Sequence, residues 1–353
     1  MNAQLTGPVL VVGCGLIGTS VALALTEAGV TVHLDDLLAD NLDLAVSRGA
    51  GTADPVVDPS VVVVAVPPAA VVETVARVLA EHPGAVVTDV ASVKTALSSQ
   101  IAVLPGAERF AGGHPMAGKE RSGPMAASAR LFEGRPWAVV PLPASRPDAV
   151  RRVAELAATV GAVASTMDPA EHDSAVALVS HLPHLASVMV AGLLNAAPDE
   201  ALELAGPGLR DVTRIAGSET GLWLDILGTN AVEVRRLLTD LRGSIDHAIG
   251  ALDADPGELA GLLDAGRAGT RRIPGKHGGS SSEFATVFVS VPDRPGELPR
   301  LMVHVGESGV NIEDVRIDHE QGRRVGQVEI SVVPSTADTL VDALSARGWS
   351  AYR

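Results

Sequence analysis

The strongest fold signal in the chain is the segment Val11-Val12-Gly13-Cys14-Gly15-Leu16-Ile17-Gly18, in which three glycines have the spacing G-x-G-x-x-G. The apolar run from Pro8 to Val12 predicts a buried strand before it, and the periodicity from Leu16 to Ala28 predicts a helix after it. A strand, a glycine loop and a helix in this order are typical of a nucleotide-binding βαβ unit. The sequence therefore predicts a nucleotide site at this turn.

Glycine has a physical reason at each of the three positions of the loop. Gly13 permits the tight turn, Gly15 lets the backbone approach a pyrophosphate, and Gly18 lets helix and strand pack closely. The helix N-terminus, which begins with Leu16 and Ile17, offers free N–H groups to the phosphates. These residues are the predicted cofactor-binding loop.

Two acidic residues follow the second predicted strand, Thr31 to Leu34. Asp35 lies near the interval at which a ribose-binding carboxylate is expected, and a carboxylate there would repel the 2′-phosphate of NADP. We therefore expect NAD as the cofactor, with Asp35 on its ribose and Asp36 facing solvent. Cys14 is expected to fill space in the loop, because no paired base is evident.

The first half of the chain alternates β-branched runs with helical stretches, which is typical of a parallel sheet with crossover helices. We predict an α/β domain over residues 1–167, with a Rossmann-type doubly wound parallel sheet. The later strands are predicted at Val61–Val66, Ala85–Asp89, Trp137–Pro141 and Ala162–Thr166, and the helices at Ala69–Glu81, Val93–Leu104 and Asp148–Val160.

An all-helical domain is predicted for residues 168–266, where strand signals are almost absent. Its first long helix is apolar nearly all round, which favours burial against a second copy, so we expect a homodimer. Residues 267–283 are rich in Gly, Ser and basic residues and are expected to form a linker. Residues 284–353 predict a small α+β domain, with strands at Ala285–Val291, Val310–Asp318 and Val325–Val333 and helices at Gly296–Gly309 and Ala337–Gly348.

The composition excludes several classes of partner. The chain has 353 residues with 27 basic and 42 acidic side chains, and the net charge of −15 argues against a nucleic-acid partner. A single cysteine allows no internal disulfide, which fits a reducing cytoplasm. The most apolar segment, Ala175–Leu194, contains His181, Pro183 and His184, so we expect a buried core helix there and no membrane span.

Four later clusters place polar residues in apolar or glycine-rich surroundings. They are Thr88-Asp89-Val90-Ala91-Ser92-Val93-Lys94, Gly112-Gly113-His114-Pro115-Met116-Ala117-Gly118, Ser180-His181-Leu182-Pro183-His184 and Gly208-Leu209-Arg210-Asp211-Val212-Thr213-Arg214-Ile215-Ala216. The first lies at the carboxyl end of a predicted strand, the edge at which ligands bind to open α/β sheets. The second predicts a loop on which a ligand approaches the histidine closely.

Together with the glycine loop, these clusters resemble the prephenate and arogenate dehydrogenase family. The segments GCGLIG, DVASVK, GGHPMAG, SHLPH and LRDVTRIAGS occur in that family's order, over residues 8–265. The tail is similar to an ACT domain, a ligand-sensing module, in the segments Val291–Leu298 and Gly309–Asp314, and this similarity implies the element order βαββαβ. The resemblance implies an oxidoreductase that uses NAD to decarboxylate prephenate oxidatively, on the route to tyrosine.

The resemblance also assigns catalytic roles. His114 matches the family's catalytic histidine and would accept the proton of the ring hydroxyl, for which a histidine near its ordinary pKa of about 6.5 is suited. Ser92 would hydrogen-bond the same hydroxyl, and it is also placed to cap the helix predicted from Val93. Arg214 matches an arginine that binds a substrate carboxylate with its bidentate fork.

Further substrate-binding positions follow from the same resemblance. His181 matches a second substrate-binding histidine, and Asp211, Glu120 and Trp223 match positions that gate the pocket. The alternatives are a satisfied core histidine for His181 and a surface ion pair for Asp211. His181 and His184 are three residues apart, but the intervening proline and the lack of a nearby carboxylate argue against a metal site.

The ACT-like tail predicts control by an amino acid, and tyrosine is the expected effector. Asn311 and the loop from Asp293 to Gly296 are the predicted binding residues. A tail that only supports dimerisation is the alternative.

Other functions stay open at this point. Arogenate is the alternative substrate, because no residue identifies the group in which it differs from prephenate. A β-hydroxyacid dehydrogenase or an imine reductase shares the architecture, but the former needs a lysine base in the second domain, and no lysine occurs between Lys119 and Lys276. A non-catalytic sensor of NAD and an amino acid would not need a proton acceptor such as His114.

Overall fold

The computed structural model describes residues 5–118, 121–218, 220–273, 284–319 and 325–353. Contacts between Cα atoms divide the chain into two compact units, Met1–Asp240 and Leu241–Arg353. The positions predicted for catalysis, substrate and cofactor belong to the first unit, and those predicted for the effector belong to the second.

A parallel four-stranded sheet forms the start of the first unit. Its strands and helices are β1 (Val9–Val12), α1 (Leu16–Glu27), β2 (Val32–Asp35), α2 (Ala39–Ser47), β3 (Val61–Val64), α3 (Val71–Glu81), β4 (Val86–Asp89) and α4 (Thr95–Ile101). The strand order is β2-β1-β3-β4. All residues of β1, β3 and β4 are buried, as expected for strands that helices cover on both faces.

A second sheet of three strands follows. Its elements are β5 (Ala111–Pro115), β6 (Pro136–Pro141), α5 (Pro147–Thr159) and β7 (Val163–Thr166). β5 runs antiparallel to β6, and β6 pairs in parallel with β7. A parallel bridge between Val87 and Phe110 connects β4 to the chain just before β5. The predicted Rossmann-type architecture is confirmed, but β5 occurs where the sequence predicts a loop.

The chain after β7 is helical as far as residue 270. The helices are α6 (Pro169–Val176), α7 (Leu182–Leu193), α8 (Asp199–Leu202), α9 (Pro207–Thr213), α10 (Thr220–Thr229), α11 (Ala231–Asp253) and α12 (Leu259–Thr270). A π-helical turn, Ala177–His181, joins α6 to α7. Pro183 lacks an N–H group and its ring would clash with the carbonyl four residues earlier, so the wider turn relieves the helix at this point.

The tail forms an antiparallel sheet with two helices. Its elements are β8 (Ala285–Pro292), α13 (Glu297–Glu307), β9 (Asp314–His319), β10 (Val325–Val332), α14 (Ala337–Ser345) and β11 (Ser350–Tyr352). The strand order is β11-β8-β10-β9. Its buried core includes Val287, Val289, Leu301, Ile330 and Leu340. The element order is the βαββαβ that the similarity to an ACT domain implies, and it includes β11, which the sequence pattern itself does not predict.

Candidate active site

The glycine loop between β1 and α1 has little room for side chains at two of its three glycines. Gly13 has a φ of +102°, and a Cβ there would lie 2.4 Å from a backbone oxygen just after β3. A Cβ on Gly18 would lie 1.9 Å from the Gly13 carbonyl oxygen. A Cβ on Gly15 would meet no atom within 4 Å. The open side of Gly15 leaves space for a phosphate beside Leu16 and Ile17, which form the first turn of α1.

The Asp36 side chain, and not the Asp35 side chain, contacts the glycine loop; Asp35 reaches the loop only through its backbone oxygen, which accepts from the Gly13 N–H at 2.7 Å. The Asp36 carboxylate accepts hydrogen bonds from the Cys14 N–H at 2.5 Å and from the Leu38 N–H at 2.7 Å. The Asp35 carboxylate pairs with Arg77 of α3 at 3.1 Å. Consecutive side chains of an extended segment point to opposite faces, so only one of the two carboxylates reaches the loop. This is Asp36, the residue that the sequence predicts to face solvent.

The Cys14 thiol is buried in the loop. Burial raises its pKa to about 12, and the carboxylates of Asp36 and Asp35 act in the same direction. Because the thiolate is the reactive form of cysteine, the raised pKa argues against Cys14 as a nucleophile at neutral pH.

Asp89, the last residue of β4, holds the following loop against the neighbouring strand. Its carboxylate lies 2.5 Å from Lys94 Nζ and accepts N–H bonds from Ala91 at 3.0 Å and from Gly113 at 3.2 Å. The side chains of Lys94 and Asp89 are both 1% exposed. Burial lowers the pKa of Lys94, whereas the Asp89 charge raises it. The pair fixes the loop that carries Ser92 beside β5.

His114 lies on β5, so the predicted loop position is wrong. The preceding glycine explains the difference, because a Cβ on Gly113 would lie 2.7 Å from the Asp89 carbonyl oxygen and 2.9 Å from Trp137 Nε1. Glycine at this position lets β5 pack against β4 and makes no turn. His114 is consequently buried, with 8% of its surface exposed.

A chain of hydrogen bonds runs from His114 to α6. His114 Nδ1 lies 2.9 Å from His172 Nε2, and His172 Nδ1 lies 2.8 Å from Asp173 Oδ1. The two Asp173 oxygens also accept backbone N–H bonds from Lys94 and Thr95, each at 2.8 Å. These hydrogen bonds connect the start of the helical region to β5 and to the loop after β4.

Burial lowers the pKa of His114 well below its usual value of 6.5, and the charge of Lys94 lowers it further. The expectation of an ordinary pKa is therefore wrong, because it assumes an open loop. Burial alone would raise the pKa of Asp173, but its hydrogen bonds, above all the one from His172, lower it. A neutral imidazole and an ionised carboxylate consequently lie at the two ends of the same line of hydrogen bonds.

His181 is buried at the end of the π-helical turn. The Asn230 side-chain nitrogen lies 2.8 Å from the Asp173 carbonyl oxygen and 3.3 Å from His181 Nδ1. A carbonyl oxygen only accepts, so the Asn230 atom is the NH₂ group and His181 Nδ1 accepts from it. Burial lowers the pKa of His181 as well. A neutral His181 then carries its proton on Nε2 and offers it as a donor.

Trp223 lies against two histidines of the same region. Its ring stacks on His184 with centroids 3.5 Å apart and meets His181 edge-on at 6.2 Å. Arg214 begins the short turn Arg214–Gly217, which packs against α7. The Arg214 side chain is exposed and forms no ion pair within the described parts of the chain. Its guanidinium group is therefore available to an anion.

The other predicted residues have simpler surroundings. Ser92 is half-buried, and it does not cap a helix, because α4 begins at Thr95 and not at Val93. Asp211 is exposed on α9. Glu120 lies outside the described residues. No group of three potential metal ligands occurs among the residues that the structure describes.

Several residues that build this site are missing from the sequence-based prediction. Asp89 and Lys94 occur in a predicted cluster but receive no role there, and His172, Asp173 and Asn230 are not selected at all. A signal exists for His172 and Asp173, since adjacent titratable residues at the start of an apolar helix need partners when they are buried. No comparable signal marks Asn230.

The predicted effector residues lie at opposite ends of the tail's sheet. Asp293 and Gly296 follow the end of β8 that pairs with Val325, and Asn311 precedes the end of β9 that pairs with Ser331. At about 3.3 Å per residue, these two ends are roughly 20 Å apart. One tail therefore does not bring both groups to a single amino acid, and the predicted effector site, which would need a second chain to combine them, stays a prediction.

Two family models match this chain. Residues 21–166 match the nucleotide-binding domain of prephenate dehydrogenase, and residues 168–263 match its dimerization domain. The chain is 35% identical to a probable prephenate dehydrogenase of Streptomyces niveus, and the alignment covers 97% of this chain and 98% of the relative.

Solved structures agree with this match. The prephenate dehydrogenase of A. aeolicus, in complex with hydroxyphenyl propionate and NAD+, is 28% identical with a TM-score of 0.68, and the match covers 76% of this chain and 98% of that one. An arogenate dehydrogenase of Synechocystis is 27% identical with a TM-score of 0.66, and the match covers 74% of this chain and 98% of that one. The predicted resemblance to the prephenate and arogenate dehydrogenase family is confirmed, and the ACT-like character of the tail stays a prediction.

Proposed function

This chain belongs to the prephenate dehydrogenase family, and we propose that it oxidatively decarboxylates prephenate with NAD+ and that His114 accepts the hydroxyl proton. The observation that carries the proposal is the buried His114, held by His172 beside the carboxyl end of β4. Ligands of open α/β sheets bind at that edge. A neutral imidazole there suits an alcohol that loses its proton and its hydride together.

NAD+ supplies the hydride acceptor when it is bound. The glycine loop fits a pyrophosphate, because Gly15 has an open side and the N–H groups of Leu16 and Ile17 begin a helix. We assign the ribose to Asp36 in place of Asp35, since the Asp36 carboxylate lies on the loop backbone. A carboxylate at this position also repels a 2′-phosphate, which favours NAD over NADP.

His114 acts on the hydroxyl group of the substrate, a cyclohexadienol with a ring carboxylate and a carboxylated side chain. The hydroxyl proton moves to His114 as the carbinol carbon loses its hydride. The ring carboxylate then leaves as CO2, and its bonding electrons enter the ring. The oxygen regains one proton as the ring becomes a phenol, so the histidine returns to its neutral form. A buried histidine with a lowered pKa begins each cycle in that form.

The remaining residues recognise the substrate. Arg214, an exposed cation without an ion pair in the described chain, is the proposed partner of a substrate carboxylate. His181 would donate from Nε2, because Asn230 occupies its Nδ1. Ser92 would bond the hydroxyl group. A gate around the pocket, formed by Asp211, Glu120 and Trp223, stays a prediction.

The test is the formation of NADH by the purified full-length chain with NAD+ and either prephenate or arogenate. We expect turnover with prephenate, and a kcat lower by about 10²- to 10⁴-fold in His114→Asn. His82→Asn, at the end of α3, is the matched control and is expected to stay within twofold. Turnover with arogenate alone would mean that arogenate, and not prephenate, is the substrate. No turnover with either compound would refute the proposal.

We also infer a homodimer that forms through the helical region. The helix Pro169–Ala196 is long and apolar enough to span a membrane by composition, yet only 28% of its most apolar window is buried within the chain. The predicted core helix is thus largely open in one chain, and Leu178, Val179, Met189 and Leu193 are exposed. A second copy in the cytoplasm would cover this face, and sedimentation equilibrium should give twice the 36.1 kDa of one chain.

A further inference from the structure

His172 and Asp173 are buried side chains that hold His114 but take no direct part in the proton transfer proposed above. Both lie on α6, and their exposed fractions are 0% and 4%. A buried carboxylate and a buried imidazole are costly unless they are hydrogen-bonded. Their bonds form one line that ends on His114 Nδ1.

We propose that His172 and Asp173 are positioning residues that fix the tautomer of His114, so that Nε2 carries the lone pair that accepts the substrate proton. The identity of that substrate rests on the proposed function. The tautomer itself is a property of the chain and can be measured without turnover.

The direction of each hydrogen bond follows from the carboxylate. Asp173 only accepts, so His172 Nδ1, at 2.8 Å from Oδ1, donates to it. A neutral His172 is then left with Nε2 as an acceptor. His114 Nδ1 lies 2.9 Å from this acceptor and must donate. The only unprotonated nitrogen of a neutral His114 is then Nε2.

The charges around His114 favour the same arrangement. Among the residues that the structure describes, the titratable groups that face it are Lys94, His172, His181 and Asp173. Lys94 is neutralised by Asp89 in a buried pair. When His114 has accepted a proton, its Nδ1–H still donates to His172, and the ionised Asp173 offsets part of the cost of the buried charge. The pair therefore acts before and after the proton transfer.

The test uses His172, because Asp173 also holds the backbone of Lys94 and Thr95 and its loss would disturb the fold. His172→Gln places a carbonyl oxygen near the position of Nε2 and can still accept from His114. His172→Asn is shorter, so it can reach Asp173 but not His114. These two variants are matched in polarity and differ in the one hydrogen bond that the proposal requires, and His172→Leu removes both bonds.

With prephenate and NAD+, we expect kcat to fall less than about fivefold in the glutamine variant and about 10- to 100-fold in the asparagine and leucine variants. The KM values for both substrates should stay within threefold of wild type. Equal losses in the glutamine and asparagine variants would mean that His172 acts through packing, and would overturn the proposal.

A second measurement does not depend on turnover. The 15N spectrum of full-length protein labelled at histidine should show a neutral His114 protonated at Nδ1, with its signals assigned through their absence in His114→Asn. In His172→Asn the proton should be shared between the two nitrogens or move to Nε2. A wild-type His114 that carries its proton on Nε2 would overturn the inference. The Nδ1–H form in a wild-type protein that does not turn over prephenate would support the inference and refute only the proposed function.

Discussion

Two buried imidazoles in one network make this protein sensitive to acid. The pKa values of His114 and His181 both lie below 6.5, chiefly because of burial. Histidines of the unfolded chain titrate near 6.5, so below this pH the unfolded state binds more protons than the folded state. The stability is therefore fully present above pH 6.5 and is lost as the pH falls from 6.5 towards the folded pKa values.

We expect the melting temperature to fall by roughly 1–4 °C between pH 7.5 and pH 5.5, which corresponds to about 1–3 kcal/mol in the free energy of unfolding. Scanning calorimetry at several pH values measures this directly. His181→Gln should reduce the pH dependence, whereas His247→Gln, an exposed position on α11, should keep it. A melting temperature that is constant or rises towards pH 5.5 would contradict the argument.

At the scale of single residues, the sequence predicts the kind of group better than its position. A carboxylate after β2 is predicted, but the choice between Asp35 and Asp36 depends on where the strand ends. β2 extends to Asp35, and a difference of one residue moves a side chain to the other face of the sheet. The predicted pKa of His114 fails for a similar reason, since burial is a property of the packed strand.

At the scale of elements, different glycines of the loop between β1 and α1 serve backbone packing and cofactor binding. A Cβ on Gly18 would lie 1.9 Å from a backbone oxygen, whereas a Cβ on Gly15 would meet nothing within 4 Å. Gly15 has a φ of −76°, which any residue adopts. The two glycines of one motif therefore have different roles, and alanine at each position should have a different effect.

We expect Gly18→Ala to lower the free energy of unfolding by about 1–3 kcal/mol, because α1 must move away from the loop. Gly15→Ala should change it by less than about 0.5 kcal/mol and should raise the Kd for NAD+ at least tenfold, because the methyl group occupies the open side. Calorimetric melting and NAD+ titration distinguish the two. A Gly15→Ala variant with unchanged NAD+ affinity would place the phosphates elsewhere.

β5 shows why one element is absent from the sequence-based prediction. Its residues are Ala-Gly-Gly-His-Pro, a composition with low strand propensity. Pairing with β6 along its whole length and the close approach of Gly113 to β4 form the strand in spite of this. By contrast, β1, β3 and β4 are apolar runs rich in β-branched residues, and their own composition predicts them.

At the scale of the whole molecule, strands alternate with helices in the first and last parts and helices alone fill the middle part, so the order of α/β, helical and α+β parts is predictable. The site is less predictable, because its hydrogen bonds connect positions far apart in the chain. His114 and His172 are separated by 58 residues, and His181 and Asn230 by 49. A single sequence carries no signal for such pairs.

The tail allows a last prediction. Asp293 and Asn311 lie at opposite ends of its sheet, so an effector site that uses both must take one residue from each of two chains. We expect tyrosine to inhibit the full chain and deletion of residues 284–353 to remove the part of this inhibition that is not competitive with prephenate. Asp293→Ala and Asn311→Ala should each weaken inhibition at least tenfold, since each leaves binding groups unpaired, and Thr339→Ala, exposed on α14, should not. Mixed dimers of the two loss variants contain one intact site and should regain part of the sensitivity, measured as inhibition of NADH formation. Inhibition that persists unchanged after the deletion would mean that tyrosine competes at the active site and that the tail is not its receptor.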